Sequence, residues 1–374
     1  MELTSEDALR LNVLLANKPL AIRIHESSMT LYGLLESGEA TVKLNPEGGD
    51  EKYLKVVRAF LSEKALGSPG GYPLYLQRWT RQGQMREQSL EQLLQLGDPQ
   101  AVFAVVCAEG LTVELARRAW WAAPEAEHAR RMLQTGEIVN SEIGREMADY
   151  LVEYLPFETE VEDMMESVRM ATQPGLLSEE KRAALWKKAA RKTPYLVGFI
   201  AADPDNLPEK VPARQDEAQL VERLSSLAQQ GNRPAGLLIR IASANGQGFL
   251  NTVQRILAKP PTQEVVNSAL DTVREYFNPI RPEGNPDCTV EELLADGARY
   301  LSDDDEALAC LAVYPELERE LRALRFLSGV GWGVLRPVLS GSDAMGSLMR
   351  RKLEPVLVPV TEEIGRLAAP AQAL

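Results

Sequence analysis

Apolar positions change period twice within the first seventy residues. Thr4-Ser5-Glu6-Asp7 followed by Leu9, Leu11, Leu14 and Leu15 reads as a capped amphipathic helix. From Pro19 the pattern alternates, first Leu20, Ile22 and Ile24 against Ala21, Arg23 and His25. Met29, Leu31 and Gly33 then alternate with Thr30, Tyr32 and Leu34, and Ala40, Val42 and Leu44 with Thr41 and Lys43. Alternation is the period of a strand, so three short strands are predicted, joined by turns at Glu26 to Ser28 and Glu36 to Glu39. Asp50 to Leu66 returns to helical spacing through Tyr53, Val56, Val57, Phe60 and Leu61, which gives one helix to cover one face of the sheet. A turn segment, Gly67 to Pro73, follows, and Leu74 to Trp79 reads as a fourth strand.

From Gln88 onward the texture is helical, with alanine- and leucine-rich segments separated by short breaks at Gly, Pro or Asp. Helices are predicted over 98–108, 111–122, 126–133, 141–154, 160–172, 179–190, 215–229, 235–244, 263–277, 290–301 and 317–327. Capping boxes at Thr159/Glu162 and Thr289/Glu292 mark two of the starts. Antiparallel hairpins in series without a fixed period predict a mainly α chain: a small N-terminal α+β domain, then an irregular helical-repeat array or bundle. Proline-rich stretches at 203–214 and 278–286 read as hinges, and the implied divisions are 1–86, 87–210 and 211–374.

Charge separates these regions. The chain has a formal net charge of −13, yet residues 1–90 hold eleven Lys or Arg and eleven Asp or Glu, so the whole deficit lies beyond them. An acidic majority repels phosphate backbones, so general DNA binding is not expected. Lys64 to Arg86 is an island of twenty-three residues without a carboxylate. It interleaves Tyr72, Tyr75 and Trp79 with Arg78, Arg81 and Arg86, side chains that stack on or grip an anionic partner. Its turns set the crossing from sheet to helical array and its aromatics pack that junction, leaving Arg78, Arg81 and Arg86 as the binding residues. The longest apolar run, Phe326 to Leu335, is half of the roughly 20 residues that cross a bilayer, so no membrane partner is expected. Acids at the N-terminus argue against a secretion signal. Three scattered cysteines without a CxxC pair fit a reducing compartment, and the expected localisation is cytoplasmic.

Motifs for chemistry are sparse. Neither of the two histidines, His25 and His128, has metal-ligand spacing. His25 ends a strand, and His128 reads as part of a solvated helix face. No GxxxxGK[ST] or GxSxG occurs, and Gly329-Val330-Gly331-Trp332-Gly333 follows a helix where a dinucleotide fingerprint needs a strand. No metal or cofactor is therefore expected. Cys107 and Cys310 lie in apolar runs and read as small buried hydrophobes. Cys288 directly precedes the Thr289 cap and is the candidate reactive thiol, favoured by the helix N-terminus and opposed by Asp287, Glu291 and Glu292. Trp120 and Trp121 point about 100° apart on a helix, so core packing rimmed by Arg117, Arg118, Arg130 and Arg131 is expected over a shared ligand platform. Lys187, Lys188, Arg191 and Lys192 read as compensation of a helix C-terminus, and Asp303 to Asp305 as a helix N-terminal acid cluster.

The stretches SEDALRLNVLLANKPLAIRI (5–24), ALGSPGGYPLYLQRWTRQGQMR (65–86), SLEQLLQLGDPQAV (89–102), ELARRAWWA (114–122) and YLVEYLPFET (150–159) resemble the DsrS family. These are accessory proteins associated with the dissimilatory sulfite reductase system of sulfur-oxidising bacteria. The resemblance is carried by residues 1–160 and brings no catalytic residue with it. It implies a non-enzymatic, cytoplasmic accessory or regulatory protein that supports oxidation of stored sulfur by binding a protein or RNA. A sulfurtransferase or persulfide carrier using Cys288 is the alternative from another class, and a helical scaffold is the third.

Overall fold

In the computed structural model, which describes residues 3–46, 48–67, 87–341 and 344–369, Thr4 begins the first helix as its sequence requires. The Thr4 hydroxyl accepts from the Asp7 N–H at 3.2 Å and starts α1, Ser5–Ala16. Strands β1 (Ala21–His25), β2 (Thr30–Leu35) and β3 (Gly38–Lys43) form an antiparallel meander in the order β1-β2-β3. The register pairs Ile22 with Gly33 and Gly33 with Ala40, so one face of the sheet is apolar along its width. That face meets α1 and α2, Asp50–Leu66, in a core built from Leu11, Leu14, Ile22, Leu31, Tyr53, Val57 and Leu61. Gly33 is needed there: a Cβ would sit 2.7 Å from Leu14 Cδ1. The buried Asp7 carboxylate ties the layers, accepting from the Tyr53 hydroxyl at 2.5 Å and the Asn45 N–H at 2.8 Å.

The described residues from 87 to 154 are helical: α3 Glu87–Leu93, α4 Pro99–Val106, α5 Val113–Ala122, α6 Ala126–Met132, α7 Gly136–Val139 and α8 Glu142–Tyr154. Trp120 is buried edge-on against Tyr150 at 5.0 Å and donates to Glu146. Trp121 turns to the sheet, where the Arg23 guanidinium lies 4.6 Å from its ring and 4.9 Å from that of Tyr32. The tryptophans thus serve packing, with the stacking arginine coming from β1 and not from the neighbouring helix. His128 is a correction: it is buried at 3 % exposure with Nδ1 2.9 Å from the Ala123 carbonyl, because α6 also buries Ala126, Ala129 and Met132.

Tertiary contacts divide the chain into two compact units, residues 1–154 and 155–374, a boundary that coincides with neither of the divisions read from the sequence. The second unit is all α: α9 Val161–Ala171, α10 Glu179–Ala189, α11 Thr193–Ala202, α12 Glu217–Gln229, α13 Arg233–Ala242, α14 Ala244–Ala258, α15 Gln263–Tyr276, α16 Val290–Asp303, α17 Asp305–Val313, α18 Glu318–Leu327, α19 Trp332–Leu339 and α20 Gly346–Ala368. The chain is therefore mainly α, with a three-stranded N-terminal sheet followed by an irregular helical array. The capping box at Thr289/Glu292 forms in full. The one at Thr159/Glu162 does not: α9 starts after Glu160, and Thr159 donates its hydroxyl to the Glu160 carboxylate instead.

Both proline-rich stretches are stitched into this unit by arginine. In the first, Asp205 accepts from Arg240 and from the Tyr276 hydroxyl, and the buried Arg214 binds Asp216 at 2.6 Å. In the second, the buried Arg281 binds Asp296 at 2.6 Å and Ser328 Oγ at 3.2 Å, while Arg325 joins Asp296 and Glu283 at 2.8 and 2.5 Å. The hinge reading at 203–214 misses Arg240 and Tyr276 because they lie 35 and 71 residues from Asp205.

Two tight helix corners share one pattern, Ser-x-x-Gly. Ser141 Oγ donates to Ile138 O at 2.6 Å and accepts from Gly144 N at 3.2 Å; Ser243 Oγ does the same with Arg240 O and Gly246 N at the same distances. The serine thus ends one helix and begins the next, and the glycine lies on the backbone of the helix just left.

Candidate partner-binding site

The residues of the aromatic–arginine island, Tyr72, Tyr75, Arg78, Trp79, Arg81 and Arg86, lie outside the described residues, as does the predicted fourth strand at Leu74 to Trp79. The sheet that precedes them is defined, and its two edges differ. On β1 the Ile22 N–H donates to Leu94 O at 2.8 Å, so the segment after α3 pairs with that edge at Ile22. On β3 the Leu44 N–H donates to Met29 O at 2.9 Å, and the register Leu31↔Val42 and Gly33↔Ala40 turns the backbones of Val42 and Ala40 toward β2. Glu39, Thr41 and Lys43 therefore turn their backbone groups outward. Among the described residues the Lys43 carbonyl accepts from Arg10 Nη1 at 3.2 Å, and no hydrogen bond is made by the N–H of Glu39, Thr41 or Lys43.

Beside this edge is a hollow of about 510 Å³ lined by Leu9, Arg10, Val13, Leu14 and Asn17 of α1 and by Ala40 to Lys43 of β3. Leu9 and Val13 are one helical turn apart and remain 65 % and 57 % exposed. Among the described residues no carboxylate lines the hollow. Arg10 is committed to Glu6, whereas the Lys43 ammonium meets the Ser28 carbonyl and no carboxylate among the described residues. On the opposite face Glu39 is held by Arg23 at 2.9 Å and by Trp121 Nε1 at 3.2 Å. Sequence reading counts Leu9 with Leu11, Leu14 and Leu15 in one amphipathic helix and does not single out Val13; the positions of Leu9 and Val13, off the buried stripe of Leu11 and Leu14, are the signal that could have marked them.

Two hollows belong to the second unit. One, of about 280 Å³, adjoins the Arg281 network and is lined by Arg233, Arg325, Tyr300 and Asp303 among others. The other, of about 360 Å³, is lined by Glu162, Glu166, Asp271 and Glu275 with Arg169. Burial lifts the Asp271 carboxyl above its usual range against the pull of Arg274. No histidine or cysteine lines any of the three hollows. Among the described residues no group of three or more His, Cys, Asp or Glu is arranged to hold a metal ion, and no helix is long and apolar enough to cross a membrane.

Cys288 is half-buried and its thiol donates to Pro286 O at 3.4 Å. Burial pushes the thiol up, the Glu292 carboxylate adds to this, and the Arg281 charge opposes it without prevailing. Burial first, and then the glutamate that completes the capping box, hold the thiol above its ordinary value. Since the thiolate is the nucleophile, Cys288 should alkylate at pH 8 more slowly than free cysteine, and Glu292→Gln should speed it. Peptide mass spectrometry after timed iodoacetamide exposure measures this, and faster labelling than free cysteine would refute it. Cys310 is buried against Asn232, and burial pushes its thiol up to about 12. Cys107, read as buried, is half-buried because it ends α4 as its C-terminal cap.

No family model matches the sequence, and no curated protein and no solved structure shows significant similarity to it.

Proposed function

We propose that this chain is a non-enzymatic accessory protein of dissimilatory sulfur oxidation that works by binding a protein partner through its sheet-containing unit. The observation that carries the binding role is the acid-free hollow between α1 and β3, with Leu9 and Val13 exposed over it. Scattered exposed apolar residues are ordinary, but two on one helical face beside an unpaired strand edge make a contiguous site. Protein is favoured over RNA because the hollow is apolar, while the chain as a whole carries −13 charges. The sulfur setting rests on the resemblance of residues 1–160 to the DsrS family. A raised Cys288 thiol gives the persulfide-carrier alternative no support.

Co-purification from cells grown on reduced sulfur tests this reading. The parent chain should retain a partner after nuclease treatment, and Leu9→Glu/Val13→Glu should lose it while keeping the same melting temperature, since both sites are exposed. Equal recovery by the parent and the double variant would remove the hollow as the binding site. Loss of the partner on nuclease treatment would replace protein by RNA.

A further inference from the structure

We infer that the open edge of β3 takes an extended segment of the protein partner as a fourth strand, one whose apolar side chains alternate with carboxylates. The inference rests on the protein-binding reading and adds the partner's local conformation and chemistry. Three independent features meet at this edge. First, the outward N–H groups of Glu39, Thr41 and Lys43 make no hydrogen bond among the described residues, whereas on the other edge of the same sheet the Ile22 N–H donates to Leu94 O. An unpaired edge is a template for an added strand, whose main-chain bonds supply affinity.

Second, α1 extends over the place that strand would fill. Successive side chains of a strand point to opposite faces, so every second residue of the incoming segment enters the hollow under Leu9, Val13 and Leu14 beside Ala40 and Val42. Burying Leu9 and Val13 there completes a core that the three strands leave open on this side. Third, the other side chains of the incoming segment fall on the face of Thr41 and Lys43. Glu39 on that face is already neutralised by Arg23. Lys43 has no carboxylate partner among the described residues, and an opposite charge directly across the ladder is the favoured cross-strand pair. A lysine there also disfavours partners with basic segments.

The test uses the full chain and a fluorescein-labelled peptide of about six residues in which valine alternates with glutamate. The peptide should bind and should slow hydrogen exchange in 38–43, read by mass spectrometry. Thr41→Pro removes an outward N–H and leaves the ladder to β2 in place; it should weaken binding about tenfold, as should Lys43→Glu, which guards against misfolding of the proline variant. A peptide with lysine in place of glutamate should bind about tenfold more weakly than the original. No binding of the alternating peptide, slow exchange of the Glu39, Thr41 and Lys43 amides before peptide is added, or binding by Thr41→Pro and Lys43→Glu as tight as by the parent would each overturn the inference. Concentration-dependent dimerisation abolished by Thr41→Pro would assign the edge to a second copy and overturn it as well. If the strand variants bind the natural partner normally and Leu9→Glu/Val13→Glu does not, strand addition fails while the protein-binding reading stands; if both bind normally, both fail.

Discussion

Replacing Arg281 by methionine should lower the unfolding free energy by about 3–5 kcal/mol, the loss expected when one partner of a buried ion pair is removed. Arg281 is 3 % exposed and bonds four groups from different parts of the chain: Asp296 at 2.6 Å, Ser328 Oγ at 3.2 Å, the Arg325 carbonyl at 3.3 Å and Glu283 at 3.5 Å. Without it Asp296 keeps Arg325 and, at 3.9 Å, Arg299, and the turn at 278–283 loses its direct tie to α16 while Arg325 of α18 still holds Ile280 O and Glu283. The pH dependence should change with it. Burial alone would raise Glu283 and Asp296, but hydrogen bonds and charge from Arg325 and Arg281 overcome burial and hold both carboxyls below their ordinary values of 4.5 and 3.8. A carboxyl depressed in the folded state contributes stability above its unfolded pKa, and that contribution is lost as pH falls through the folded value. Urea unfolding of the parent should therefore show stability falling below about pH 4.5, with a shallower fall in Arg281→Met. Adding Asp296→Asn should recover part of the loss. A cost below about 1 kcal/mol in the single variant would show that the network is not a stabilising unit.

Gly246→Ala should destabilise by about 3 kcal/mol, against the gain of about 1 kcal/mol that alanine brings to a helix. A Cβ at Gly246 would lie 2.4 Å from Arg240 O and 2.5 Å from Ile241 Cα, backbone atoms that cannot swing aside as a side chain does. Gly144→Ala should behave alike in the first unit, since its Cβ would lie 2.2 Å from Ile138 O. Ser243→Ala removes only the cap and should cost about 1 kcal/mol. Thermal unfolding of the three variants separates the effects. An alanine variant at either glycine as stable as the parent would show that the corner relaxes freely.

The small sheet and its covering helix were legible because period 2 and period 3.6 follow one another with clear turns between them. The helix predicted over Asp50 to Leu66 forms over those residues, and three strands appear where alternation placed them. The helix Ala244–Ala258 was not legible, because Gly246 and Gly248 in its first turns resemble a break. Nor was Gly346–Ala368, which contains Pro355 and Pro359. A proline inside a helix costs roughly 3 kcal/mol, and here burial of Met349, Leu353, Val356, Val360, Ile364 and Leu367 along one stripe outweighs that cost. The candidate site was legible only in its parts. Exposure of Leu9 and Val13 and the difference between the two sheet edges depend on which neighbour closes which edge, and no local pattern carries that.

By itself the sequence determined the mainly α class, the N-terminal meander, the Thr4 and Thr289 helix starts and the charge asymmetry, because each follows from local periodicity, capping and composition. The tertiary structure alone decided that His128 is buried, that Trp121 stacks on Arg23, that the proline-rich stretches are held by Arg214, Arg240 and Arg281, and that β3 is the edge left open. Apart from the local Arg214–Asp216 pair, these depend on residues beyond the local segment or on the absence of a partner, and such pairings are set by packing, not by the order of neighbours along the chain.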